Sequence, residues 1–424
     1  MKEIKLSFDL RIALKQTDVH WVEEELLRLR EEIFLEVLRR VLREIEEEAL
    51  KGVSGCGRCG CLLVRNGHEP KRIKTLIGAV QVDRVRLRCQ GCGEDIYPLD
   101  EAMGLADGEG MTLGVRERAL WAAVEVSYEK TSQFLSKFTG LEVSRKKVHQ
   151  MAVEEGGRIE QLEEDGRCFV FEEGRQIEAA EKVPEVLYIQ VDGTGVNDRA
   201  SRQWMECKVG ASFSERVRVS KDRVCLMDKR SYASIEGAEA FGEKFFLECI
   251  KQGVLKAKKV FFIADGASWI RTLKDNYFPE AIGVLDIWHL EREFKKALGE
   301  ERAEFVESLK VLALQGKGSE ILQRLMEEGA RVKTVEERKK IIEVMTYVRN
   351  NLDWIANIPK VQGYGSGPVE KTADITVARR FKKRGMSWYR RNANPLLKLR
   401  LLKLNGEWDF YWKERRKEFA RYAA

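Results

Sequence analysis

The sequence predicts a multidomain protein of the α/β class. Its 424 residues exceed the usual size of one domain and correspond to roughly two to four domains. With 44% apolar and 34% charged residues, the chain can build a sizeable core and does not have a disordered composition. Between residues 186 and 285, apolar runs typical of strands alternate with helical segments, which is the pattern of an α/β domain.

The composition excludes several classes of protein. No apolar run approaches the roughly 18 residues that a bilayer-spanning helix requires. The first residues, MKEIKLSFDL, lack the apolar stretch that follows the basic residues of a signal peptide. Nine cysteines, of which four form two close pairs, do not match a secreted disulfide scaffold. We therefore expect a protein of the reduced cytoplasm with no membrane partner.

The N-terminal region, residues 1–52, is predicted to be helical. Residues 21–50 are rich in helix formers and contain neither Gly nor Pro. Within them Leu27, Phe34 and Val41 recur at heptad-like spacing, which predicts one long amphipathic helix. Packing on its own domain is favoured over a coiled coil, because the pattern is short for a coiled coil.

Residues 53–100 carry two cysteine pairs that predict a zinc ribbon. The pairs are Cys56 with Cys59, and Cys89 with Cys92. Four thiolates satisfy the tetrahedral coordination of Zn2+, and the short β-type runs between the pairs are typical of a ribbon. We expect one structural Zn2+, with Cys61 as a neighbour rather than a ligand. A redox pair and ordinary buried thiols are the alternatives.

Residues 108–157 predict a helix-turn-helix. Thr139 and Gly140 end one helix, and Ser144 is a good N-cap for the next. The early turns of the second helix face the major groove in such a motif. The predicted DNA contacts there are Arg145, Lys146, Lys147 and Gln150. A plain helical hairpin is the alternative, and the acidic residues 158–185 are predicted to be an irregular linker.

Residues 186–289 contain two apolar strands that each end in Asp-Gly. Asp192 ends the run VLYIQVD, and Asp265 ends the run KKVFFIAD. If the two strands are adjacent, the carboxylates approach each other, and a bridging cation relieves their repulsion. Oxygen ligands suit Mg2+ or Mn2+. Glu370, at the predicted start of a helix, is the candidate third ligand; two Asp-Gly turns and a solvated glutamate are the alternatives.

Cations are concentrated in the last predicted segment, residues 359–424. Between Lys371 and Arg400 there are ten Lys or Arg residues against one acid, Asp374, which creates a field suited to phosphate. The predicted DNA contacts there are Arg379, Arg380, Lys382, Lys383, Arg384, Trp388, Arg390 and Arg391. The alternative is a solvated, charged helix.

Several motifs resemble the DDE transposases of bacterial insertion sequences. The strings VDGTGV, ADGASWI, DIWHL and GSGPVEKTADITVARRFKKRGMSW are similar to the group of insertion sequences named after Kra. The resemblance extends from the zinc ribbon to about Leu404. It implies a prokaryotic, nucleoid-associated protein with a ribonuclease-H-like catalytic core, which residues 290–358 interrupt as an all-helical insertion.

The resemblance also implies roles for individual residues. Asp192, Asp265 and Glu370 would be the catalytic acids, holding two Mg2+ or Mn2+ ions that act on a phosphodiester. Asp286 and His289 match a D-x-x-H motif that is expected beside the active site. The alternative for these two is a strand end and a packed histidine.

These observations together predict a DNA transposase. The expected partners are the terminal inverted repeats of an insertion sequence and the target DNA, with at least a homodimer on DNA. Two other functions stay open: a catalytically silent DNA-binding regulator derived from such an enzyme, and another nuclease with the same fold, such as a structure-specific resolvase.

Overall fold

The computed structural model describes residues 5, 7, 15–105, 110–177, 183–221, 223–361 and 367–422. The chain divides into two compact units, one of Met1–Met151 with Glu407–Ala424 and the other of Ala152–Gly406. Both units contain helices, and both contain strands, which confirms a mixed α/β protein of more than one domain. In the described part of the chain, every helix is too short or too polar to cross a membrane.

The first unit begins with the predicted long helix, α1 (Val19–Gly52). Asp18 caps it, because its carboxylate accepts a hydrogen bond from the backbone N–H of Trp21 at 2.9 Å. Leu42 is buried in a cluster with Ile73 and Val80, and neighbouring apolar residues of the helix pack against the same cluster. The helix therefore packs on its own unit, as expected.

An antiparallel sheet of order β1-β2-β3 follows. Its strands are β1 (Leu63–Thr75), β2 (Gly78–Cys89) and β3 (Asp95–Ile96). Strand β1 is continuous over 13 residues, whereas the sequence predicted short runs. Its register with β2 shifts between Arg65 and His68, where Gly67 has φ +83°, so a bulge interrupts the regular pairing.

Helices complete the N-terminal part of the chain. They are α2 (Pro98–Met103), α3 (Leu113–Ala123), α4 (Tyr128–Thr139) and α5 (Arg145–Arg167). Gly140 ends α4 in the left-handed conformation with φ +67°. The Ser144 hydroxyl caps α5 by accepting from the N–H of Lys147, so both predicted helix ends are confirmed.

The predicted irregular linker is wrong for its first half. Helix α5 continues to Arg167, and a π-helical turn extends it over Cys168–Glu172. The acidic residues that led to the prediction of a linker form ion pairs in the structure, such as Glu164 with Arg167 at 2.7 Å. Residues 178–182 of the predicted linker lie outside the described residues.

The second unit contains a mixed sheet of order β10-β9-β4-β5-β8. Its strands are β4 (Val186–Asn197), β5 (Trp204–Phe213), β8 (Arg230–Ser234), β9 (Lys259–Ala264) and β10 (Ile282–Leu285), and a separate ribbon pairs β6 (Glu215–Ser220) with β7 (Arg223–Met227). Strands β4, β9 and β10 are parallel, whereas β5 and β8 are antiparallel to their neighbours. The ribbon lies within the stretch where the sequence predicts alternating strands and helices.

The helices of the second unit follow the predicted order. They are α6 (Ala238–Ile250), α7 (Ser268–Tyr277), α8 (Ile287–Leu298), α9 (Ala303–Leu314), α10 (Gly318–Arg331), α11 (Val335–Asn350) and α12 (Leu352–Ile355). Short 3-10 turns occupy Glu300–Arg302 and Ile358–Val361. The expectation that the β pattern stops after β10 and gives way to helices is confirmed.

The C-terminal segment is also helical. Its helices are α13 (Gly367–Ala373), α14 (Arg379–Phe381), α15 (Arg390–Leu404) and α16 (Trp408–Tyr422). A π-helical turn over Asp374–Ala378 joins α13 to α14. The buried guanidinium of Arg400 donates from Nε to the carbonyls of Ile375 and Thr376 at 2.9 and 3.0 Å, which supplies partners to carbonyls of this irregular turn.

Candidate functional site

Two carboxylates and an imidazole converge in the second unit. One potential ligand atom from each of Asp192, Asp265 and His289 lies within 4.8 Å of the others. The two aspartates are half-buried and the histidine is buried. Such a group can hold a metal ion, so the structure brings together two predicted acids and the predicted histidine.

Strand topology explains why these side chains meet. Asp265 follows Ala264, the last residue of β9, and Asp286 follows Leu285, the last residue of β10. Asp192 lies just past Gln190, the last residue of β4 that pairs with β9. The same edge of three parallel strands therefore carries all of them.

The predicted position of Asp192 at a strand end is wrong. Strand β4 continues to Asn197, and Asp192 pairs with Val209 of β5. Gly193 is part of the strand rather than of an Asp-Gly turn, because it pairs with Lys208 of β5. A Cβ at this position would lie 2.7 Å from Oε1 of Glu206. Antiparallel pairing with β5 thus extends a strand that the glycines alone appeared to end.

The Asp265 turn is held by its own hydrogen bonds. The carboxylate accepts from the N–H of Ala267 at 2.9 Å, and the backbone carbonyl accepts from the hydroxyl of Tyr347. Gly266 adopts φ +77°, and a Cβ there would lie 2.3 Å from Oδ1 of Asn351. A glycine is required at this position for both reasons.

Asp286 and His289 form a hydrogen-bonded pair. The carboxylate of Asp286 is fully buried, accepts from the backbone N–H of His289 at 2.9 Å and lies 2.6 Å from Nδ1 of the same residue. Because Asp286 engages Nδ1, Nε2 is the nitrogen left for the cluster. A carboxylate that fixes the ring of a histidine in this way is typical of metal sites.

The electrostatics of the cluster favour a bound cation. Burial raises the pKa of Asp192, and the charges of Asp265 and Glu370 act in the same direction, while the Gly193 N–H and His289 oppose them. Burial opposes the charged form of His289, but the hydrogen bond to Asp286 raises its pKa overall. A cation would stabilise the two carboxylates that now repel each other.

Glu370 lies near the cluster but outside the group of close ligand atoms. Its charge acts on Asp192, yet its side chain is exposed. The helix that carries it begins at Gly367, as expected, and is fixed to β4 because the N–H of Val369 donates to Oε1 of the fully buried Gln190 at 2.9 Å. Gln190 was missed by the sequence analysis, although a polar residue inside the apolar run VLYIQVD was a usable signal.

The basic segment, residues 379–391, lies beside this edge of the sheet. The amine of Lys382 donates to the hydroxyl of Thr194, two residues beyond Asp192. Lys383 and Arg384 are exposed. The exposed cations of this segment therefore stand next to the carboxylate cluster.

Four of the predicted contacts in this segment need qualification or correction. Arg380 and Trp388 are 1% and 9% exposed, and the guanidinium lies 5.0 Å from the indole centroid, so neither is a surface contact as predicted. The indole also packs against Phe381 and donates to its carbonyl, because a local turn folds it inward. Arg379 pairs with Asp374 at 3.0 Å, and Arg390 donates to the carbonyl of Ile235.

The four predicted cysteines form a second cluster, in the first unit. The Sγ atoms of Cys56, Cys59, Cys89 and Cys92 all lie within 4.8 Å of one another. The close contacts, at 3.3 and 3.7 Å, join one pair to the other rather than the two cysteines within a pair. This arrangement is compatible with structural zinc and does not favour a redox pair.

Backbone N–H groups favour a thiolate at Cys89. The N–H groups of Cys92 and Gly91 donate to Sγ of Cys89, and with Cys92 as the largest contributor they lower the pKa of Cys89 to about 6. Gly60 and Gly93 adopt positive φ where the two knuckles turn. Cys61 is not part of the cluster, in agreement with the sequence analysis.

The predicted recognition residues occupy the first turns of α5. Arg145, Lys146 and Gln150 are exposed, and Lys147 is half-buried. Arg145 forms an exposed ion pair with Glu129 at 3.4 Å, which contributes little to stability. The surface is polar and accessible, as a groove-binding helix requires.

Comparison with known proteins identifies a family without an assigned activity. The profile of the uncharacterised protein family UPF0236 matches residues 15–417. A UPF0236 protein of Caldanaerobacter subterraneus subsp. tengcongensis, named for eleven loci, is 24% identical over 349 residues, which cover 80% of this chain and 68% of the relative. Another from the same organism, named for four loci, is 23% identical over 350 residues, covering 80% and 68%.

Proposed function

This chain belongs to the uncharacterised protein family UPF0236, and we propose that it is a DNA transposase that cuts and joins strands at the ends of a mobile element. The observation that carries the proposal is the cluster of Asp192, Asp265 and His289 at one edge of the mixed sheet. A cation site beside exposed Lys and Arg side chains suits a phosphodiester.

The architecture around the cluster supports a ribonuclease-H-like core. The acids follow or lie within adjacent parallel strands, β4 and β9. The helices α8 to α12 separate the second acid from Glu370, as the helical insertion of the proposed fold requires. The helix that carries Glu370 packs back on β4 through Gln190.

The donor set fits a divalent cation. Two carboxylates suit Mg2+ or Mn2+, and the imidazole nitrogen makes Mn2+ the better match to all three donors. Asp192, Asp265 and His289 would hold the ion, and a second ion would require Glu370 to move toward the cluster. When bound, the cation would supply a Lewis acid that polarises the phosphodiester and activates water or a 3′-hydroxyl.

The remaining residues orient the site and the substrate. Asp286 holds the imidazole of His289 in one orientation by engaging Nδ1. The exposed amines and guanidiniums of the basic segment, among them Lys383 and Arg384, bind phosphates on either side of the cut bond. In the first unit, the zinc ribbon and the surface of α5 recognise the element's ends.

The names of the relatives are consistent with mobility. One relative is named for eleven loci of a single genome and another for four. Many copies in one genome are what a self-copying or relocating element produces. The number of loci supports the proposal that the gene belongs to a mobile element. The carboxylate and histidine cluster supports the proposal that the protein cuts and joins DNA strands.

A second candidate is a silent DNA-binding regulator with the same fold. The specific observation in its favour is Glu370, which is exposed and lies outside the close group of ligand atoms. If Glu370 never joins the cluster, the site holds fewer ligands than two-metal chemistry uses.

The deciding experiment is strand cleavage of DNA that carries the element's own ends, taken from the sequence flanking the gene. Wild type, Asp192→Asn, Asp265→Asn and Glu370→Gln are compared with Mg2+, with Mn2+ and with EDTA. Asp275→Asn is the matched control, because this acid of α7 has a 70% exposed side chain.

Cleavage that requires a divalent cation and both aspartates would establish the transposase, and we expect each Asn variant to lose roughly a thousandfold in rate, or about 4 kcal/mol. The control should cleave like wild type. Binding of the ends without any cleavage would replace the transposase by the regulator. A Glu370→Gln variant with the wild-type rate would remove Glu370 from the ligand set.

A further inference from the structure

The turn between β4 and β5 forms one surface with the basic segment. The backbone N–H of Trp388 donates to the carbonyl of Asn197, and the N–H of Arg199 donates to the carbonyl of Trp388, both at 2.9 Å. These two bonds fix residues 198–203 beside the basic segment. Arg199, which the sequence did not single out, is therefore placed among the exposed cations.

The turn is built as a defined structure. The carboxylate of Asp198 accepts from the N–H of Ala200 at 3.0 Å and from the hydroxyl of Ser201 at 2.8 Å. Arg202 has φ 58°, a left-handed conformation that residues other than Gly rarely adopt. Its N–H donates to the carbonyl of Asp198 at 3.0 Å. The position of Arg199 is thus fixed by backbone geometry.

Tyr389 brings two guanidinium groups together. Arg199 lies 5.6 Å and Arg391 5.7 Å from the centroid of its ring, within the range of cation–π attraction. All three side chains are exposed. Among the described residues, no carboxylate lies within ion-pair distance of either arginine, so two positive charges share one ring without a counter-charge. An anion between them would relieve their repulsion.

We propose that Arg199, Tyr389 and Arg391 form a phosphate-binding subsite for one strand of DNA, and this identification of the ligand rests on the proposed function. Each guanidinium beside the ring keeps N–H donors for phosphate oxygens. Tyr389 is a positioning residue, since its ring orients both cations and carries no charge itself.

The position of the subsite on the chain gives its approximate distance from the carboxylate cluster. Asn197 lies five positions beyond Asp192 along β4, which is about 17 Å of extended chain. One strand of B-DNA advances about 3.4 Å per phosphate along the helix axis. The subsite therefore holds the backbone roughly five nucleotides from the bond that is cut.

The test measures how the affinity of the full-length chain for a short duplex of arbitrary sequence depends on salt. Arg199→Gln and Arg391→Gln should each lower the slope of log affinity against log salt by about 0.9, the value for one lost phosphate contact. Lys256→Gln is the matched control, because this exposed lysine precedes β9 at the opposite edge of the sheet. Its slope should equal that of wild type.

Tyr389 gives an independent readout. Tyr389→Ala should weaken binding although no charge is lost, and Tyr389→Phe should restore wild-type binding because the ring is retained. On DNA that carries the element's ends, phosphate-ethylation interference that disappears in Arg391→Gln should map about five nucleotides from the cut.

The possible failures are distinct. If wild type binds the duplex normally but both arginine variants have the same salt slope as Lys256→Gln, the proposed subsite is wrong. The proposed transposase function would not be affected by that result. An interference signal at the cut phosphate itself would overturn its placement. A wild-type protein that does not bind duplex DNA at any salt concentration would overturn the proposed function.

Discussion

Single residues at the cluster act through the groups that orient them. Asp192 and Asp265 offer the carboxylates, and the imidazole of His289 is available only in the orientation that Asp286 fixes. Gln190 has the same relation to Glu370, since it anchors the helix that carries the glutamate. We therefore expect substitutions of the orienting residues to have measurable but smaller effects than those of the ligands.

Asp286→Asn should lower activity by about 10- to 100-fold, the usual effect of removing a group that orients a metal ligand. It should also lower the pKa of His289, which the hydrogen bond to Asp286 raises against the effect of burial. The chain has four histidines, so NMR titration of the metal-free protein can follow them individually. His149, whose pKa burial lowers, serves as the internal reference and should not change.

The sign of the stability effect follows from the raised pKa. The stabilisation is fully present below the pKa of an unfolded histidine, about 6.5, and is lost as the pH rises through the folded-state pKa. The loss of unfolding free energy in Asp286→Asn should therefore be larger at low pH than at high pH. Equal losses of unfolding free energy at low and at high pH would mean that Asp286 does not stabilise the charged form of His289.

At the scale of elements, the ribbon depends on its cysteine cluster. Its strands bury apolar side chains such as Ile73, Val80 and Leu87, and a structural zinc ion would add on the order of 10 kcal/mol. We expect one tightly held zinc ion per chain, lost in Cys56→Ser and in Cys89→Ser. Cys61→Ser should keep the ion, because Cys61 lies outside the cluster. Metal analysis of the purified protein is the measurement, and a zinc-free wild type would contradict the ribbon.

The Asp265 turn allows a paired test of crowding and backbone strain. Gly266 and Gly385 have nearly equal φ, +77° and +78°, but only Gly266 is crowded, by Asn351 at 2.3 Å. Gly385→Ala should cost about 1–2 kcal/mol of unfolding free energy from the left-handed backbone alone. Gly266→Ala should cost a further 1–3 kcal/mol or so from overpacking. Denaturant unfolding measures both variants. Equal losses of unfolding free energy would show that Asn351 moves aside without destabilising the fold.

At the scale of the whole molecule, the proposed phosphate contacts and the proposed base contacts belong to different segments. Lys383 and Arg384 are exposed beside the cluster, whereas Arg145 and Gln150 are exposed on α5. Contacts to phosphates add affinity for any sequence, and contacts to base edges add discrimination. Substitutions in the basic segment should therefore reduce affinity for any DNA, whereas substitutions in α5 should reduce discrimination between sequences.

Lys383→Gln with Arg384→Gln should weaken binding equally for element ends and for shuffled DNA, and should lower the salt slope by about one per lost contact. Gln150→Ala should reduce the preference for element ends, with a cost of roughly 1–3 kcal/mol for a lost base contact. Competition binding with the two DNAs measures both. A Gln150→Ala variant with unchanged preference would make α4 and α5 an ordinary helical hairpin.

The sequence was most informative where local chemistry sets structure. The spacing of Cys56, Cys59, Cys89 and Cys92 predicted a cluster that the structure contains. The caps at Gly140 and Ser144 and the alternation of strands and helices after residue 186 were also predictable. These features depend on hydrogen bonds and side-chain patterns within a few residues, so a single segment carries the whole signal.

By itself, then, the sequence determined the α/β class, the four cysteines that form a cluster and the presence of an acid in or after each of two apolar strands. Tertiary structure decided that Asp192 lies inside β4 and that Arg380 and Trp388 are buried. It also decided that Arg199 lies beside the basic segment. Asp192 pairs with Val209 of β5, and Arg199 is held by Trp388, a residue distant in sequence. Lys398, which is buried against Glu163 at 2.7 Å, likewise depends on a distant partner. A count of cations along the chain cannot show which of them face solvent, because burial is decided by packing between segments.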